Sequence, residues 1–399
     1  MLMIIVPPLF SALIAIQSAD TPRLDGGQSD RSEPARVSVT DFAGEIRIQS
    51  GPQLRARVER PDTAVELVIE QSAGGISIDG GRNLRRLGCY GGLNEARVGP
   101  NRREAEPFSA LPLLIITSPD PVALEIDDSI FRAEAGDLAA LDLSASRCGD
   151  FAAADVDGPA RIALSGSTDV VLGDVAEAAR IAISGSGDVE LGSARSLDAR
   201  ISGSGDVAAG EIYGPVNASH SGSGGLRSGD AASAEVRISG SADIELGDLV
   251  GALDVRISGA GDVSAGDVGA LSAQTSGSGG VQVRDVDGRV EFSASGRGGL
   301  EAGRIGGLDA RIGGSADIEA GAVDGPVTVS ISGSGDVEIG GGRAEPFEVR
   351  LTSSGGVRFE GLAVNPQIQI SGGGDVRVDA VEGAPSVRRT GSGRFEIAD

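Results

Sequence analysis

The sequence predicts an all-β protein built as a parallel β-helix, a solenoid of about 14 coils of 18–20 residues that follows an N-terminal β-rich capping region. A motif of the form Ile-Ser-Gly-Ser-Gly-Asp-Val, as at residues 201–207, recurs to the C-terminus. Polar and apolar residues alternate between the copies, and no stretch shows a helical period. Units this short cannot bury an apolar face alone, so they must stack on one another. The slot of Asp206 is filled in successive copies by Asp150, Asp169, Asp188, Asp206, Gly225, Asp243, Asp262, Gly280, Gly299, Asp317, Asp336, Gly356, Asp375 and Arg394.

Composition excludes several classes of protein. The 399 residues include 63 glycines and no tryptophan, and the net charge is −24. The glycines follow no Gly-X-Y period, which excludes collagen, and the regular alternation of apolar residues argues against disorder in the repeats. Nucleic acids and anionic membranes need basic patches, so a strongly acidic chain is a poor partner for them. We expect no nucleic-acid ligand, whereas the net charge is compatible with binding cations or positively charged partners.

Residues 1–19 are predicted to be a signal peptide. An apolar run at 1–16 leads into small residues where a signal peptidase can cut. The run lacks a basic start and is short for a membrane span, and a retained anchor is the alternative. Residues 20–35, rich in Asp, Arg, Pro, Gly and Ser, are expected to be a linker. We therefore expect an exported protein with no transmembrane segment after cleavage, located in the periplasm, on the outer-membrane surface or outside a bacterial cell.

Strand-like segments begin at residue 36. Alternation at period two is clear at 36–39, 45–48, 54–58 and 65–69, with glycines and prolines between the segments. This pattern predicts a β-rich cap over residues 36–127, followed by the repetitive solenoid over 128–399. Residues 80–108 are less regular and are expected to form an inserted loop within the cap.

Within each coil the alternation gives the direction of the side chains. At 197–201 the apolar residues face one way, while Asp198 and Arg200 face the other. Ile201 is predicted to point inward, and the following Ser-Gly-Ser-Gly is predicted to form a corner in which glycine allows φ > 0. Crossovers between parallel strands are nearly always right-handed, so we expect a right-handed helix. The predicted inward ladders are Leu164, Ile183, Ile201, Ile238, Ile257, Ile312, Ile331, Leu351 and Ile370, and Val170, Val189, Val207, Ile244, Val263, Val281, Ile318, Val337, Val357 and Val376.

Three features carry a resemblance to a known family. They are the strands at 37–39 and 45–48, the segment 113–119 with 124–126, and the Ser-Gly-Ser-Gly-Asp-Val corners, in that order. In these features residues 35–399 resemble the head GIN domain family, which is described as "putative autotransporter adhesin" and otherwise as a domain of unknown function. The resemblance implies a secreted parallel β-solenoid on a bacterial cell envelope. It supplies no catalytic motif, and we expect no cofactor. The insertion at 80–108 and the length of the repeat array depart from the family pattern.

The corner aspartates are the candidate site residues. Asp150, Asp169, Asp188 and Asp206 lie in consecutive coils, so their carboxylates are expected to stack about 5 Å apart. That spacing is close to the carboxylate pair of a retaining glycosidase. Glycine-rich turns with Asp also resemble calcium sites, although the nonapeptide tandem of such sites is missing. We favour a structural role in which each Asp binds backbone amides of its own corner, and we predict no catalytic or cofactor-binding residue.

The one histidine and the two cysteines are the other residues with possible special chemistry. His220, the only histidine, falls in the inward slot of Ile201. Neither a Cys nor a second His accompanies it, so we interpret it as a buried hydrogen-bonded or partly exposed side chain and not as a metal ligand. Cys89 and Cys148 are the only cysteines. An even count in an exported protein predicts a disulfide, here one that pins the loop at 80–108 to the first coil, with two free thiols as the alternative.

The interpretation favoured by these observations is a non-enzymatic secreted cell-envelope protein, adhesin-like or structural, that presents a repetitive acidic surface. A carbohydrate-active β-helix enzyme of the lyase or hydrolase type and a calcium-dependent adhesin are the alternatives. The absence of Trp weakens the enzyme hypothesis, because sugar sites commonly use aromatic platforms. The expected partner is an envelope or surface ligand, glycan or protein, and a homo-oligomer is left open.

Overall fold

The described part of the chain, residues 33–60, 67–72, 74–91 and 96–398 of a computed structural model, is a parallel β-solenoid of about 15 turns. Among these residues there is no α-helix, and 34 strands form one continuous sheet. The predicted all-β solenoid is confirmed. The predicted signal peptide at 1–19 lies outside the described residues, as does the predicted linker up to residue 32.

The strands divide into an N-terminal group and the repeats. The N-terminal strands are β1 (Arg36–Thr40), β2 (Ala43–Ser50), β3 (Arg55–Arg60), β4 (Val68–Ser72), β5 (Gly75–Asp79), β6 (Gly88–Tyr90), β7 (Arg97–Gly99), β8 (Glu106–Pro107), β9 (Leu113–Ser118), β10 (Val122–Asp127), β11 (Ile130–Ala135), β12 (Leu138–Ala145) and β13 (Cys148–Ala153). The repeats supply β14 (Ala160–Leu164), β15 (Ser167–Val171), β16 (Val175–Ile183), β17 (Val189–Leu191), β18 (Ala194–Ile201), β19 (Val207–Ala209), β20 (Ile212–His220), β21 (Leu226–Ser228), β22 (Ala231–Ile238), β23 (Ile244–Leu246), β24 (Leu249–Ile257), β25 (Val263–Ala265), β26 (Val268–Thr275), β27 (Val281–Val283), β28 (Val286–Ala294), β29 (Leu300–Ile312), β30 (Ile318–Ile331), β31 (Val337–Ile339), β32 (Gly342–Leu351), β33 (Val357–Val364), β34 (Gln367–Ile370), β35 (Val376–Glu382), β36 (Ser386–Arg389) and β37 (Phe395–Ile397).

Equivalent strands of successive coils pair in parallel and in register. The long strand β18 lies between β16 and β20, and the short strand β19 lies between β17 and β21. Ile201 is therefore flanked by Ile183 and His220, as the repeat alignment predicts. The aliphatic residues of both predicted ladders are buried, and together they form the continuous hydrophobic core. Burial of one such side chain is worth about 1.5–3 kcal/mol, so stacking supplies the stability that no single coil has.

The glycines of the Ser-Gly-Ser-Gly corners are needed for close packing and not for φ > 0. Gly203 and Gly205 have no positive φ; among the described glycines, φ lies in the left-handed region only at positions such as Gly81, Gly91 and Gly325, outside these corners. A Cβ atom added to Gly203 would lie 1.9 Å from the carbonyl oxygen of Gly185 in the preceding coil. The expectation of left-handed corners was therefore wrong. Stacked corners approach so closely that any side chain here would displace the neighbouring backbone.

The first coils are stacked out of chain order. On one face the order is β5, β1, β10, β12, and on the other it is β9, β2, β11, β13. The coil made of β1 and β2 is thus inserted between a later coil and the start of the repeats. Two antiparallel strands cover the free edge, since β4 pairs with β5 and β3 pairs with β9. An uncovered edge would offer unpaired N–H and C=O groups to another chain, so these strands act as a cap.

The insertion at 80–108 has a small sheet of its own. In it β7 pairs antiparallel with both β6 and β8, and 3₁₀ turns lie at Leu84–Arg86 and Phe108–Ala110. Leu84, Val98 and Phe108 pack with Ile130 and Cys148 into a second hydrophobic cluster, separate from the solenoid core. The insertion is therefore a packed module fixed to the first coils.

Candidate functional site

The corner aspartates form a ladder of side-chain to backbone hydrogen bonds. Except at Asp150, the Oδ1 atom of each accepts from the main-chain N–H of the residue in the same slot of the next coil. The preference for a structural role therefore needs one correction, because the amide belongs to the next coil and not to the same corner. The Oδ1–N distances are 3.0 Å from Asp169 to Asp188, 2.8 Å from Asp188 to Asp206, 2.6 Å from Asp206 to Gly225, 3.0 Å from Asp243 to Asp262, 2.6 Å from Asp262 to Gly280, 2.8 Å from Asp317 to Asp336, 2.6 Å from Asp336 to Gly356 and 2.7 Å from Asp375 to Arg394.

Asp150 differs from the other three candidates. It lies beside Asp169 in the parallel register, but its Oδ2 atom forms an ion pair with Nη2 of Arg132 at 2.9 Å. Burial raises the pKa of Asp169; the amide of Asp188 opposes this shift, while repulsion from Asp188 and Asp150 adds to it. The structure thus brings Asp169, Asp188 and Asp206 into one bonded column, with Asp150 at its N-terminal end in a different role.

A second aspartate ladder lies at another corner, and sequence reasoning missed it. The signal was present as a recurring Gly-Asp dipeptide at 173–174, 229–230, 247–248 and 266–267. The bond from the Ser193 amide lowers the pKa of Asp174. The Oδ1–N distances are 2.9 Å from Asp155 to Asp174, 2.7 Å from Asp174 to Ser193, 2.8 Å from Asp230 to Asp248, 2.9 Å from Asp248 to Asp267 and 2.7 Å from Asp285 to Arg304.

One arginine joins two members of the second ladder. The guanidinium of Arg284 donates from Nη2 to Asp248 at 2.9 Å and from Nε to Asp267 at 2.6 Å. This pairing lowers the pKa of Asp267 and raises that of Arg284. In both ladders the carboxylates already accept from backbone or arginine donors. Within the described residues, no group of three or more His, Cys, Asp or Glu is arranged to hold a metal ion.

A groove of about 910 Å³ runs along the stacking axis. The parallel register places the serine that opens each Ser-Gly-Ser-Gly corner above its counterpart, at about 4.8 Å per coil. A second row, two residues before each serine, adds arginines and small polar residues. The described residues that line the groove include no carboxylate. The serine row is Ser165, Ser184, Ser202, Ser221, Ser239, Ser258, Ser276 and Ser295, and the second row is Ala163, Ala182, Arg200, Ser219, Arg237, Arg256, Gln274 and Ser293.

Hydrogen-bond donors face the groove from both rows. The hydroxyls of Ser239 and Ser258 donate to carbonyls of the preceding coil at 3.4 Å, near the long limit for such bonds. Arg200 and Arg237 form ion pairs with Asp198 and Glu235, which lie two residues earlier in the same strands. An ion-paired guanidinium keeps further N–H groups, since it has five. The groove therefore combines a periodic row of serine hydroxyls with the guanidinium groups of Arg200, Arg237 and Arg256, and it is suited to a ligand rich in oxygen acceptors.

His220 lies midway along this groove and interrupts the aliphatic ladder. It stacks between Ile201 and Ile238 and is only 4% exposed. Neither ring nitrogen has a hydrogen-bond partner within the described part of the chain. His220 is therefore buried, as the first of the two predicted alternatives requires, but its ring is not hydrogen-bonded within the described residues. Burial lowers its pKa, and the charge of Asp206 partly opposes that shift.

Cys89 and Cys148 are joined by a disulfide with a Cα–Cα distance of 6.2 Å. Nη1 of Arg147, the neighbour of Cys148, donates to the carbonyl of Leu87 at 2.9 Å. Two bonds of different chemistry thus tie the insertion to the corner where β13 begins. Among the described residues, none of the helical segments is long and apolar enough to span a membrane.

Comparison with known proteins gives a match to a protein family. Neither a curated protein nor a solved structure is matched by the chain. The match is with a family model and covers residues 306–398, just under a quarter of the sequence. These residues form β30 to β37 with part of β29, and they contain five of the Ser-Gly-Ser-Gly-type corners described above. This C-terminal part of the solenoid is thus similar to the family described as "Putative auto-transporter adhesin, head GIN domain".

Proposed function

We propose that the protein is an exported, non-enzymatic, adhesin-like protein of a bacterial cell envelope, and that it holds a linear glycan in the serine-lined groove. The main support is the groove itself, in which a serine recurs in each of eight consecutive coils. Seven steps of about 4.8 Å give it a length of roughly 34 Å. The family match at 306–398 adds support for the adhesin-like role.

The chemistry of the groove favours a glycan. Sugar rings present hydroxyl and ether oxygens at regular intervals along a polymer, and the two rows offer donors at regular intervals. The corner serines and their neighbours lie at strand ends, so the framework that carries these donors is rigid and the ligand meets a preformed surface. Hydrolysis or elimination requires a catalytic acid or base. The described lining residues include no carboxylate, and the imidazole of His220 is only 4% exposed, which gives the carbohydrate-active enzyme less support.

The groove is tested by filling it. Ser221→Trp and Ser258→Trp place a large ring in the groove at exposed positions, so the fold should tolerate them. Ala208→Trp, exposed on another face, is the matched control. Calorimetry against a panel of linear polysaccharides should show binding by the wild-type protein and the control, and at least tenfold weaker binding by both groove variants. Equal affinity in all four proteins would refute the groove as the binding site.

Export and display are tested separately. Fractionation and surface labelling of the producing cells should place the mature protein outside the cytoplasm. Incubation of the purified protein with the bound polysaccharide should release no shorter products. A protein found only in the cytoplasm would contradict the envelope role, while product release would favour the enzyme alternative. Binding that disappears with a chelator and returns with calcium would favour the calcium-dependent adhesin.

A further inference from the structure

The insertion at 80–108 carries an excess of positive charge. It contains six arginines, three glutamates and no aspartate, an excess of three positive charges in a chain of net charge −24. Arg85, Arg86, Arg102 and Arg103 are exposed, and their guanidinium groups have no ion-pair or hydrogen-bond partner among the described residues. Most other arginines of the solenoid surface, such as Arg227 and Arg284, are paired with carboxylates. We call these four residues the arginine patch.

The topology of the small sheet gathers the arginine patch at one end. Gly88, at the start of β6, pairs with Gly99 at the end of β7. The turn at residues 100–105 then leads into β8. The segment just before β6, with Arg85 and Arg86, therefore lies at the same end of the sheet as the turn that carries Arg102 and Arg103. The backbone thus brings the four positively charged residues to one end of the small sheet.

The patch is held on a fixed support. The Cys89–Cys148 disulfide, the bond from Arg147 to Leu87 and the second hydrophobic cluster attach the insertion to the first coils. Within the turn, Nδ2 of Asn101 donates to Glu104 at 2.9 Å, which engages one of the two described glutamates of the insertion. A pre-organised patch loses little conformational entropy when it binds.

The acidic character of the chain does not cancel the patch. Glutamates such as Glu301 lie eight coils beyond Cys148, about 38 Å away at ~4.8 Å per coil. At physiological ionic strength charges are screened over about 8 Å. Closer carboxylates, Asp41, Asp79, Asp127 and Asp128, lie together where the insertion leaves β5, which confines the positive surface to the insertion itself.

We infer that the arginine patch is a docking surface for the phosphate headgroups of an anionic lipid membrane. Guanidinium groups bind phosphate through paired N–H donors, and a compact cluster fits a headgroup surface better than it fits an extended polymer. Net charge argues against an anionic membrane along the solenoid as a whole, but contact through the insertion keeps most of the acidic coils beyond the screening length. This inference does not depend on the proposed glycan groove.

Vesicle binding tests the inference. The full chain with its disulfide intact is titrated with vesicles of phosphatidylglycerol and phosphatidylcholine, and with vesicles of phosphatidylcholine alone. Each arginine near an anionic surface contributes about a factor of five in affinity, so changing all four to Gln should weaken binding by roughly several hundredfold. The matched control changes Arg377, Arg388, Arg389 and Arg394 to Gln, which alters net charge equally at exposed positions of the last coils. The control should bind as the wild type does.

Other outcomes would overturn the inference. They are absence of binding to the anionic vesicles, equal binding to neutral vesicles, or equal loss in the patch and control variants. Two further probes distinguish a lipid headgroup from other anionic ligands that arginines could bind. Saturable binding of inorganic phosphate without vesicle binding would assign the patch to a free anion, and preferential binding of alginate would assign it to an acidic polysaccharide. Circular dichroism of both variants, with unchanged strand signal and melting temperature, ensures that lost binding is not lost folding.

Discussion

The Oδ1 atom of Asp188 accepts a hydrogen bond from the main-chain N–H of Asp206, its counterpart in the next coil, over 2.8 Å. The carbonyl of Asp206 accepts from the N–H of Val189 at 2.9 Å, which resumes the ordinary ladder. At this corner a carboxylate thus takes the place of a backbone acceptor. The corner Asp recurs because it connects coils, and each copy adds one charge-assisted bond between neighbours.

Asp188→Ala should therefore lower the free energy of unfolding by about 1 kcal/mol, since the amide of Asp206 loses its acceptor while remaining partly open to water. Asp188→Asn keeps an oxygen acceptor and should cost less. Urea denaturation measures both. Glu190→Ala is the matched control, because Glu190 is exposed in the same coil, carries the same charge and has no partner among the described residues. Equal stability of Asp188→Ala and Glu190→Ala would show that the bond contributes nothing.

Ile257→Asp should destabilise the solenoid by several kcal/mol. Ile257 is 2% exposed and stacks between Ile238 and Thr275, so the new carboxylate would be buried without a partner. Gln274→Asp introduces the same charge at an exposed position beside Arg256 and should leave the melting temperature within a degree or two. Thermal denaturation followed by circular dichroism compares the two. A wild-type melting temperature for Ile257→Asp would contradict the inward assignment of the ladder.

His220 should make stability depend on pH near neutrality. Its pKa is lowered in the folded state, so on acidification the unfolded chain binds the proton first, and stability falls as pH drops below the ordinary value of about 6.5. His220→Ile completes the aliphatic ladder and removes two unpartnered nitrogens. It should raise stability by at least about 1 kcal/mol at pH 7.5, and by more at pH 5. Urea midpoints at the two pH values measure this, and parallel changes in variant and wild type would show that His220 does not titrate in this range.

Reduction of the Cys89–Cys148 disulfide should lower the free energy of unfolding by up to roughly 4 kcal/mol. The bond joins residues 59 positions apart, and without it the unfolded chain gains conformational entropy. Urea denaturation with and without reductant measures the loss. The double variant Cys89→Ser, Cys148→Ser should match the reduced wild type and be insensitive to reductant. Mass spectrometry of non-reduced peptides from exported protein is a direct check, and two alkylatable thiols would contradict the bridge.

The sequence by itself determined the solenoid and the position of its core. A repeat of 18–20 residues allows one inward register, because a shift by one residue would turn Ile201 and its counterparts out to solvent. The same register places His220 in the ladder from the sequence alone. It also stacked Asp169, Asp188 and Asp206, since equivalent slots of parallel coils must lie beside each other.

Tertiary structure decided which atoms meet between coils. Three features depend on distances between residues 18–20 positions apart, which the alternation of polar and apolar residues within one coil does not specify. They are the acceptor of each corner amide, the close approach of Gly203 to Gly185 and the donor rows of the groove. The placement of β1 and β2 between a later coil and the repeats was likewise invisible, because parallel strands carry no mark of stacking order. The arginine patch became a surface only when the pairing of β6 with β7 brought residues 85–86 and 102–103 to one end of a sheet.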